Sequence, residues 1–323
     1  MTATTTLIAA LTDPPAIQAV GLRKAYGEKR VLDGIDLRIR QGTVFALLGP
    51  NGAGKTTTVG ILSTLIGADG GQASVAGHDL VRDADGVRRS IGVTGQFSAV
   101  DGLLTAEENL LLIGDLNHLH RREARRRTTA LLDRFELTEA AREPVSTFSG
   151  GMRRKLDLAM TLVGDPRVIF LDEPTTGLDP RSRRTIWEIV RSLVADQGVT
   201  VFLTTQYLEE ADQLADRVAV LDRGRLVAEG TSDELKRRIP GGHIRLTFAD
   251  DTRLDSAAAL FPGSAADHQN LTLRIAGDGS PLTLRAVLDV IDHAGITAGN
   301  VTVHTPDLDD VFLSLTGAAP AAA

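Results

Sequence analysis

From Ile17 to about Glu229, short apolar runs of strand length alternate with segments of helical periodicity, the pattern of a largely parallel sheet covered by helices. Ile35, Leu37 and Ile39 alternate with Asp36, Arg38 and Arg40, which predicts a half-exposed strand. Val44 to Leu48 is continuously apolar and predicts a strand buried on both faces; Val168 to Leu171 and Val199 to Thr204 are of the same kind. Val218 to Leu221 and Leu226 to Glu229 flank Asp222-Arg223-Gly224-Arg225, a turn-rich interval that predicts a hairpin. Thr231 with Glu234 reads as a capping box opening a short helix.

Pro240-Gly241-Gly242 stops this pattern, and alternation restarts over His243 to Phe248. A strand at Leu271 to Ile275, a helix at Pro281 to His293, a strand at Val301 to His304 and a helix from about Asp307 to Leu315 complete a small α+β module. On that last helix Leu308, Val311, Phe312 and Leu315 share one face, as a core-packing stripe would. The expected organisation is a flexible leader over 1–16, an α/β domain over 17–239, a small α+β domain over 243–316 and a flexible tail over 317–323.

Composition narrows the function classes. The chain has 323 residues, 42% of them hydrophobic, enough for two cores. Its net charge of −7, with basic residues scattered, argues against nucleic acid as a partner. With no cysteine, disulfides and cysteine metal sites are excluded, which suits a reducing cytoplasm. No apolar run approaches the roughly 20 residues that span a bilayer, and residues 1–15 lack the basic start and apolar stretch of a secretion signal. Arg121-Arg122-Glu123-Ala124-Arg125-Arg126-Arg127 reads as a solvated helix face, and His118 and His120 have no ligands at metal spacing.

The chemistry gathers in two motifs. Gly49-Pro50-Asn51-Gly52-Ala53-Gly54-Lys55-Thr56 matches the P-loop pattern between a buried strand and a helical stretch that starts with Thr57. Its glycines let backbone N–H groups curl around phosphates, Lys55 bridges phosphate oxygens, and Thr56 offers an oxygen to Mg²⁺. Asp172 and Glu173 end the buried run Val168 to Leu171, at the strand end where α/β sheets place ligands. Asp172 is the candidate for Mg²⁺, and Glu173 for polarising the water that attacks the γ-phosphate.

Between these motifs, Phe148-Ser149-Gly150-Gly151-Met152 resembles the signature motif of ATP-binding cassette (ABC) ATPases, Leu-Ser-Gly-Gly-Gln in its usual form. Gln96 is similar to the Q-loop glutamine, Gly177-Leu178-Asp179 to the D-loop, and Tyr26 to the aromatic that stacks on adenine. These landmarks stand in family order over roughly Ile17 to Gly230. The resemblance implies an α/β P-loop NTPase with a RecA-like core, a helical subdomain and an antiparallel β subdomain, here followed by the small α+β domain. It implies ATP and Mg²⁺ as cofactors. Lys55, Gln96, Glu173 and Gln206 are then the catalytic candidates, and Thr56, Gln96 and Asp172 the metal candidates. Nucleotide contacts fall to Tyr26, to Gly49, Pro50, Asn51, Gly52, Ala53, Gly54, Lys55, Thr56 and Thr57, and to Ser149, Gly150, Gly151 and Asp179. A Ser hydroxyl and two Gly N–H groups at a helix start make an anion site. In the family that site closes on ATP held by a second subunit, so the resemblance implies a homodimer sandwiching two ATP molecules.

Two departures stand out. Phe148 and Met152 replace the usual Leu and Gln but leave the Ser-Gly-Gly core. Gln206 occupies the place of the switch histidine; its amide can donate to a γ-phosphate but cannot titrate. Phe148 to Asp157, Thr205 to Asp212 and Leu308-Asp309-Asp310-Val311-Phe312 are similar to the daunorubicin-resistance-type ATPase subunits of bacterial drug exporters. That branch implies an integral-membrane permease as partner, a peripheral location at the cytoplasmic face of the cell membrane, and export of a drug or antibiotic-like compound. Phe97 to Leu110 would then face the permease, with Phe97, Leu103 and Leu104 as contacts, or else pack in the core. The alternatives are another cargo (lipid, polysaccharide or sodium) or a soluble cassette ATPase. Against the latter, the sequence holds one cassette and no sustained heptads.

Overall fold

The computed structural model describes residues 14–95, 99–238, 242–277, 280–304 and 306–316. Contacts divide the chain into two compact units between Ser232 and Asp233.

In the first unit, β1 (Ile17–Tyr26) and β2 (Lys29–Ile39) form a hairpin, followed by β3 (Val44–Leu48), α1 (Lys55–Leu62), β4 (Gly70–Val75), β5 (His78–Asp79), α2 (Ala84–Ser90) and β6 (Ile91–Thr94). Helices α3 (Ala106–Leu116), α4 (Arg121–Arg134) and α5 (Gly150–Leu162) come next, then β7 (Val168–Asp172), α6 (Pro180–Gln197), β8 (Thr200–Thr205), α7 (Leu208–Leu214), β9 (Arg217–Asp222) and β10 (Arg225–Gly230); α8 (Ser232–Arg237) starts at the boundary and, but for Ser232, belongs to the second unit. One sheet is antiparallel with order β2-β1-β4-β5; the other runs β10-β9-β3-β8-β7-β6. Every pairing in the second sheet is parallel except that of β9 with β10. β3, β7 and β8 are buried at every position, as expected of central strands that helices cover on both faces. Phe45, Phe170 and Phe202 from these three strands meet with ring centroids 5.6–5.7 Å apart, and Val59, Ile61 and Leu62 of α1 belong to the same core.

This register sets the site. Leu48 of β3 pairs with Thr205 of β8, and Asp172 of β7 pairs with Thr204, so three strands end side by side at their C-terminal edge. Helix starts are fixed locally: Thr105 and Glu108 form a reciprocal capping box on α3, Ser149 caps α5, and Asp179 caps α6 ahead of Pro180.

The second unit pairs β11 (His243–Thr247), β12 (Ala265–Asp267), β13 (Thr272–Ala276) and β14 (Asn300–His304) in an antiparallel sheet of order β12-β13-β11-β14. Ile244, Leu246, Leu273 and Ile275 of this sheet form a core with Leu254 and Ala257 of α9 (Asp251–Leu260) and Val287 and Ile291 of α10 (Pro281–His293). On α11 (Leu308–Thr316) Leu308, Val311 and Phe312 are buried, but Leu315 is 38% exposed, so the packing stripe does not reach the last turn. Among the described residues no helix is long and apolar enough to cross a membrane, and no His/Asp/Glu cluster is arranged to hold a metal. Arg126 and Arg127 on α4 both pair with Glu123.

Candidate active site

The loop from Gly49 to Lys55 leaves the end of β3 and turns into α1. A Cβ at Gly49 would lie 2.4 Å from the Leu221 carbonyl oxygen. At Gly54, with φ 112°, it would lie 2.7 Å from Leu32 Cδ2 and 2.9 Å from the Val31 carbonyl oxygen. Only glycine fits at either place. The Gly49 N–H donates to the Thr205 carbonyl oxygen at 3.3 Å, and the Gly224 N–H to that of Ala53 at 3.1 Å, so neighbouring strands tie the loop down. Among the described residues the N–H groups of Gly52, Gly54, Lys55 and Thr56 make no hydrogen bond, and Asn51, Gly52 and Thr56 are exposed. Free N–H groups at the positive end of a helix form a cradle for an anion.

Lys55 is buried. Its Nζ donates to the carbonyl oxygens of Gly49 at 2.8 Å and Pro50 at 3.2 Å, and lies 3.3 Å from Glu173 Oε1. The side chains of Lys55 and Glu173 are 4% and 9% exposed, so each compensates a charge that water reaches poorly. Asp172, at the end of β7, is buried and accepts from the Thr204 hydroxyl. The Glu173 N–H donates to both the carbonyl oxygen and Oγ1 of Thr204, each at 3.1 Å. Glu173 has φ 50°, a left-handed conformation that a Cβ disfavours; such residues typically carry about 1–3 kcal/mol of strain and cluster at functional sites. Thr204 thus orients both acidic residues, a role that its place inside an apolar run hid from sequence reading. Gln206 is half-buried one residue past Thr205, at the same sheet edge as the loop and the acidic pair.

A second cluster lies on α5 and α6. Ser149 and Gly150 are exposed, and Ser149 Oγ accepts the Met152 N–H at 3.3 Å. A Cβ at Gly151 would come 2.7 Å from Ser182 Oγ, and that hydroxyl donates to Asp179 at 2.6 Å. The Ser182 hydroxyl, followed by its N–H, holds the Asp179 carboxyl below the ordinary carboxylate range. The structure therefore brings Ser149, Gly150, Gly151 and Asp179 together. No hydrogen bond, ion pair or ring contact among the described residues joins this cluster to residues 49–57. Tyr26 ends β1 with its ring half exposed and the Lys24 ammonium 5.5 Å from the centroid. Leu103 is 91% exposed and Leu104 half-buried, whereas Gln96 and Phe97 lie outside the described residues.

A parallel sheet with a glycine-bounded loop, a buried lysine and an Asp-Glu strand end is the architecture of a P-loop nucleotide-binding protein. Residues 32–176 match the family model described as ABC transporter. A daunorubicin resistance ATP-binding protein of Streptomyces coeruleorubidus is 51% identical over 304 residues, covering 94% of this chain and 96% of that protein. The daunorubicin/doxorubicin resistance ATP-binding protein of Streptomyces peucetius is 46% identical over 312 residues, covering 94% and 92%. Among solved structures, an ATP-binding subunit of an ABC transporter superposes with TM-score 0.62 at 29% identity, covering 69% of this chain and 92% of that one. A dimeric ATP-binding cassette in a post-hydrolysis state, bound to ADP and Pi, superposes with TM-score 0.60 at 27% identity, covering 67% and 98%. The chain belongs to the ABC transporter family, as an ATP-hydrolysing subunit of the daunorubicin-resistance type.

Proposed function

We propose that this subunit powers export of a drug or antibiotic-like compound through a separate integral-membrane permease, working as a homodimer at the cytoplasmic face of the membrane. The observation that carries this reading is the reach of the similarity: relatives named for daunorubicin resistance match over 94% of the chain, the second unit included, while the solved cassettes cover 67–69%.

In this reading the N–H groups of Gly52, Gly54, Lys55 and Thr56 hold the β- and γ-phosphates of ATP, Lys55 turns from Glu173 toward a phosphate oxygen, and Thr57 and the rest of the loop line the same cradle. Thr56 and Asp172 supply the oxygen donors that suit Mg²⁺, with Gln96 as a further donor, and the metal when bound neutralises charge on the phosphates. Glu173, released from Lys55, accepts a proton from the attacking water at Oε1 or Oε2. Gln206 donates its amide to the γ-phosphate. Tyr26 stacks on adenine through its open face. Ser149, Gly150, Gly151 and Asp179, separate from the subunit's own loop, meet the ATP held by the partner copy.

Lys55→Ala and Glu173→Gln test the division of labour. The first should abolish binding of a fluorescent ATP analogue; the second should keep binding, stop turnover and accumulate an ATP-bound dimer in size-exclusion chromatography. Near-normal turnover by Glu173→Gln sinks the assignment of the base, and hydrolysis that is independent of protein concentration sinks the dimer.

A further inference from the structure

Arg154 lies on α5, five residues past the Ser149 cap, and is 9% exposed. Its guanidinium joins three segments of the chain. Nε donates to the Pro174 carbonyl oxygen at 2.7 Å, and Nη1 donates to the Gly95 carbonyl oxygen at 3.3 Å and to Asp157 Oδ2 at 3.0 Å. Pro174 directly follows Glu173, and Gly95 directly precedes Gln96. The next residue, Thr175, is held from α7: its hydroxyl donates at 2.8 Å to Oε1 of the buried Glu210, which also accepts the Trp187 indole N–H at 3.1 Å. Burial pushes the Glu210 carboxyl up and the Arg154 guanidinium down, while Asp157, Glu210 and Asp172 act on Arg154 in the opposite sense. A cation so placed costs solvation that apolar side chains of the same volume would not. Packing therefore does not account for it, but the directions of its donors do.

We propose that Arg154 is a positioning residue for hydrolysis, its fork fixing the Pro174 carbonyl, one residue past Glu173, to the helix capped by Ser149 and to the segment entering Gln96. This rests on the reading of Glu173 as the base. Glu173 sits at φ 50° and needs its surroundings to hold it there. Thr204 fixes its N–H side, and Arg154 fixes the carbonyl one residue on. Since Ser149 and Arg154 belong to one helix end, any displacement of Ser149 on meeting a partner's nucleotide is carried to Pro174 through a rigid element. At 9% exposure, with its donors aimed at main-chain carbonyls and Asp157, the residue acts through Glu173. Lysine, a compact point charge, cannot make the same fork.

The test uses the full chain with Arg154→Lys, Glu173→Gln and the two combined. It reads kcat, KM, affinity for a fluorescent ATP analogue, and the thermal midpoint by Trp187 fluorescence. Arg154→Lys should lower kcat roughly ten- to a hundredfold, the scale on which a misplaced catalytic group acts, and move KM and analogue affinity by less than about threefold. Added to Glu173→Gln, it should change the residual turnover by less than about twofold, because both act on one group. The double variant Arg154→Met with Asp157→Leu replaces the ion pair by apolar volume and answers the same question should the lysine variant not fold. Its thermal midpoint should fall, because the Pro174 and Gly95 carbonyls and the Ala99 N–H lose their partners, and its kcat per folded protein should fall as in the lysine variant. Wild-type kcat in either Arg154 variant, with Glu173→Gln inactive, overturns the proposal alone, as does a loss of kcat that only tracks the loss of folded protein. Wild-type turnover in Glu173→Gln overturns the base assignment first and this proposal with it.

Discussion

Thr204→Val removes one hydroxyl while nearly conserving volume, at a residue with no exposed surface whose Oγ1 meets the Asp172 carboxylate and the Glu173 N–H. The Glu173 N–H loses one of its two acceptors but keeps the Thr204 carbonyl oxygen, so its cost is small. Asp172 loses the hydroxyl that donates to it, and at 3% exposure water does not replace that donor. Hydrogen bonds to charged groups contribute about 1.5–3 kcal/mol, so the first unit should lose about 2 kcal/mol of unfolding free energy. For a unit of this size that corresponds to a midpoint about 4–8 °C lower. The chain has a single tryptophan, Trp187, buried on α6 in the same unit, so its fluorescence during urea or thermal unfolding follows the unit that holds the site. Thr204→Ser keeps the hydroxyl and should fall by no more than about 1 kcal/mol. Turnover at saturating ATP should fall in Thr204→Val and persist in Thr204→Ser. Thr204 does not hold Asp172 through its hydroxyl if Thr204→Val unfolds within about 0.5 kcal/mol of wild type, or if serine costs as much as valine.

Gly49→Ala places a Cβ 2.4 Å from a backbone oxygen of β9, so the loop must shift; overpacking of this kind costs about 1–3 kcal/mol, and titration with a fluorescent ATP analogue should show binding lost. Gln206→His should introduce a pH dependence of turnover between about pH 6 and 8 that wild type lacks, and superimposable profiles would remove Gln206 from the γ-phosphate. Glu123 is held at about 2, from an ordinary 4.5, by the guanidinium of Arg126 and then that of Arg127. A depressed carboxylate contributes stability that is fully present above 4.5 and is lost as pH falls through about 2, so Glu123→Gln should flatten the acid limb of a midpoint-versus-pH curve between those values, lowering the midpoint at neutral pH and converging on wild type at the acid end.

The central strands and the chemistry they carry were legible because each is encoded by neighbours in the chain. Val44 to Leu48 is apolar at every position because it is buried on both faces, and its extent in the structure is the one the pattern predicts. The phosphate loop needs glycine where backbone approaches within contact distance, so Gly49 and Gly54 announce it in advance. By the same logic α10 runs from Pro281 to His293 as its periodicity predicts. Elements defined by their partners were not legible. β4, Gly70–Val75, has little apolar alternation and exists because it pairs with β1, while β5 and β6 are too short to show a period. Leu315 lies on the predicted packing face, yet burial depends on what covers a face, and nothing local to α11 encodes that.

The same division runs through the site. Composition and spacing determined the residue types that can hold a phosphate and carry charge: Lys55, Thr56, Asp172 and Glu173. Only the tertiary structure decided that Lys55 and Glu173 lie 3.3 Å apart, that Thr204 orients the acidic pair, and that Arg154 reaches Pro174 and Gly95 at once. Those contacts join residues far apart in sequence through the register of a parallel sheet. A register is a property of paired strands, and no single stretch of sequence contains it.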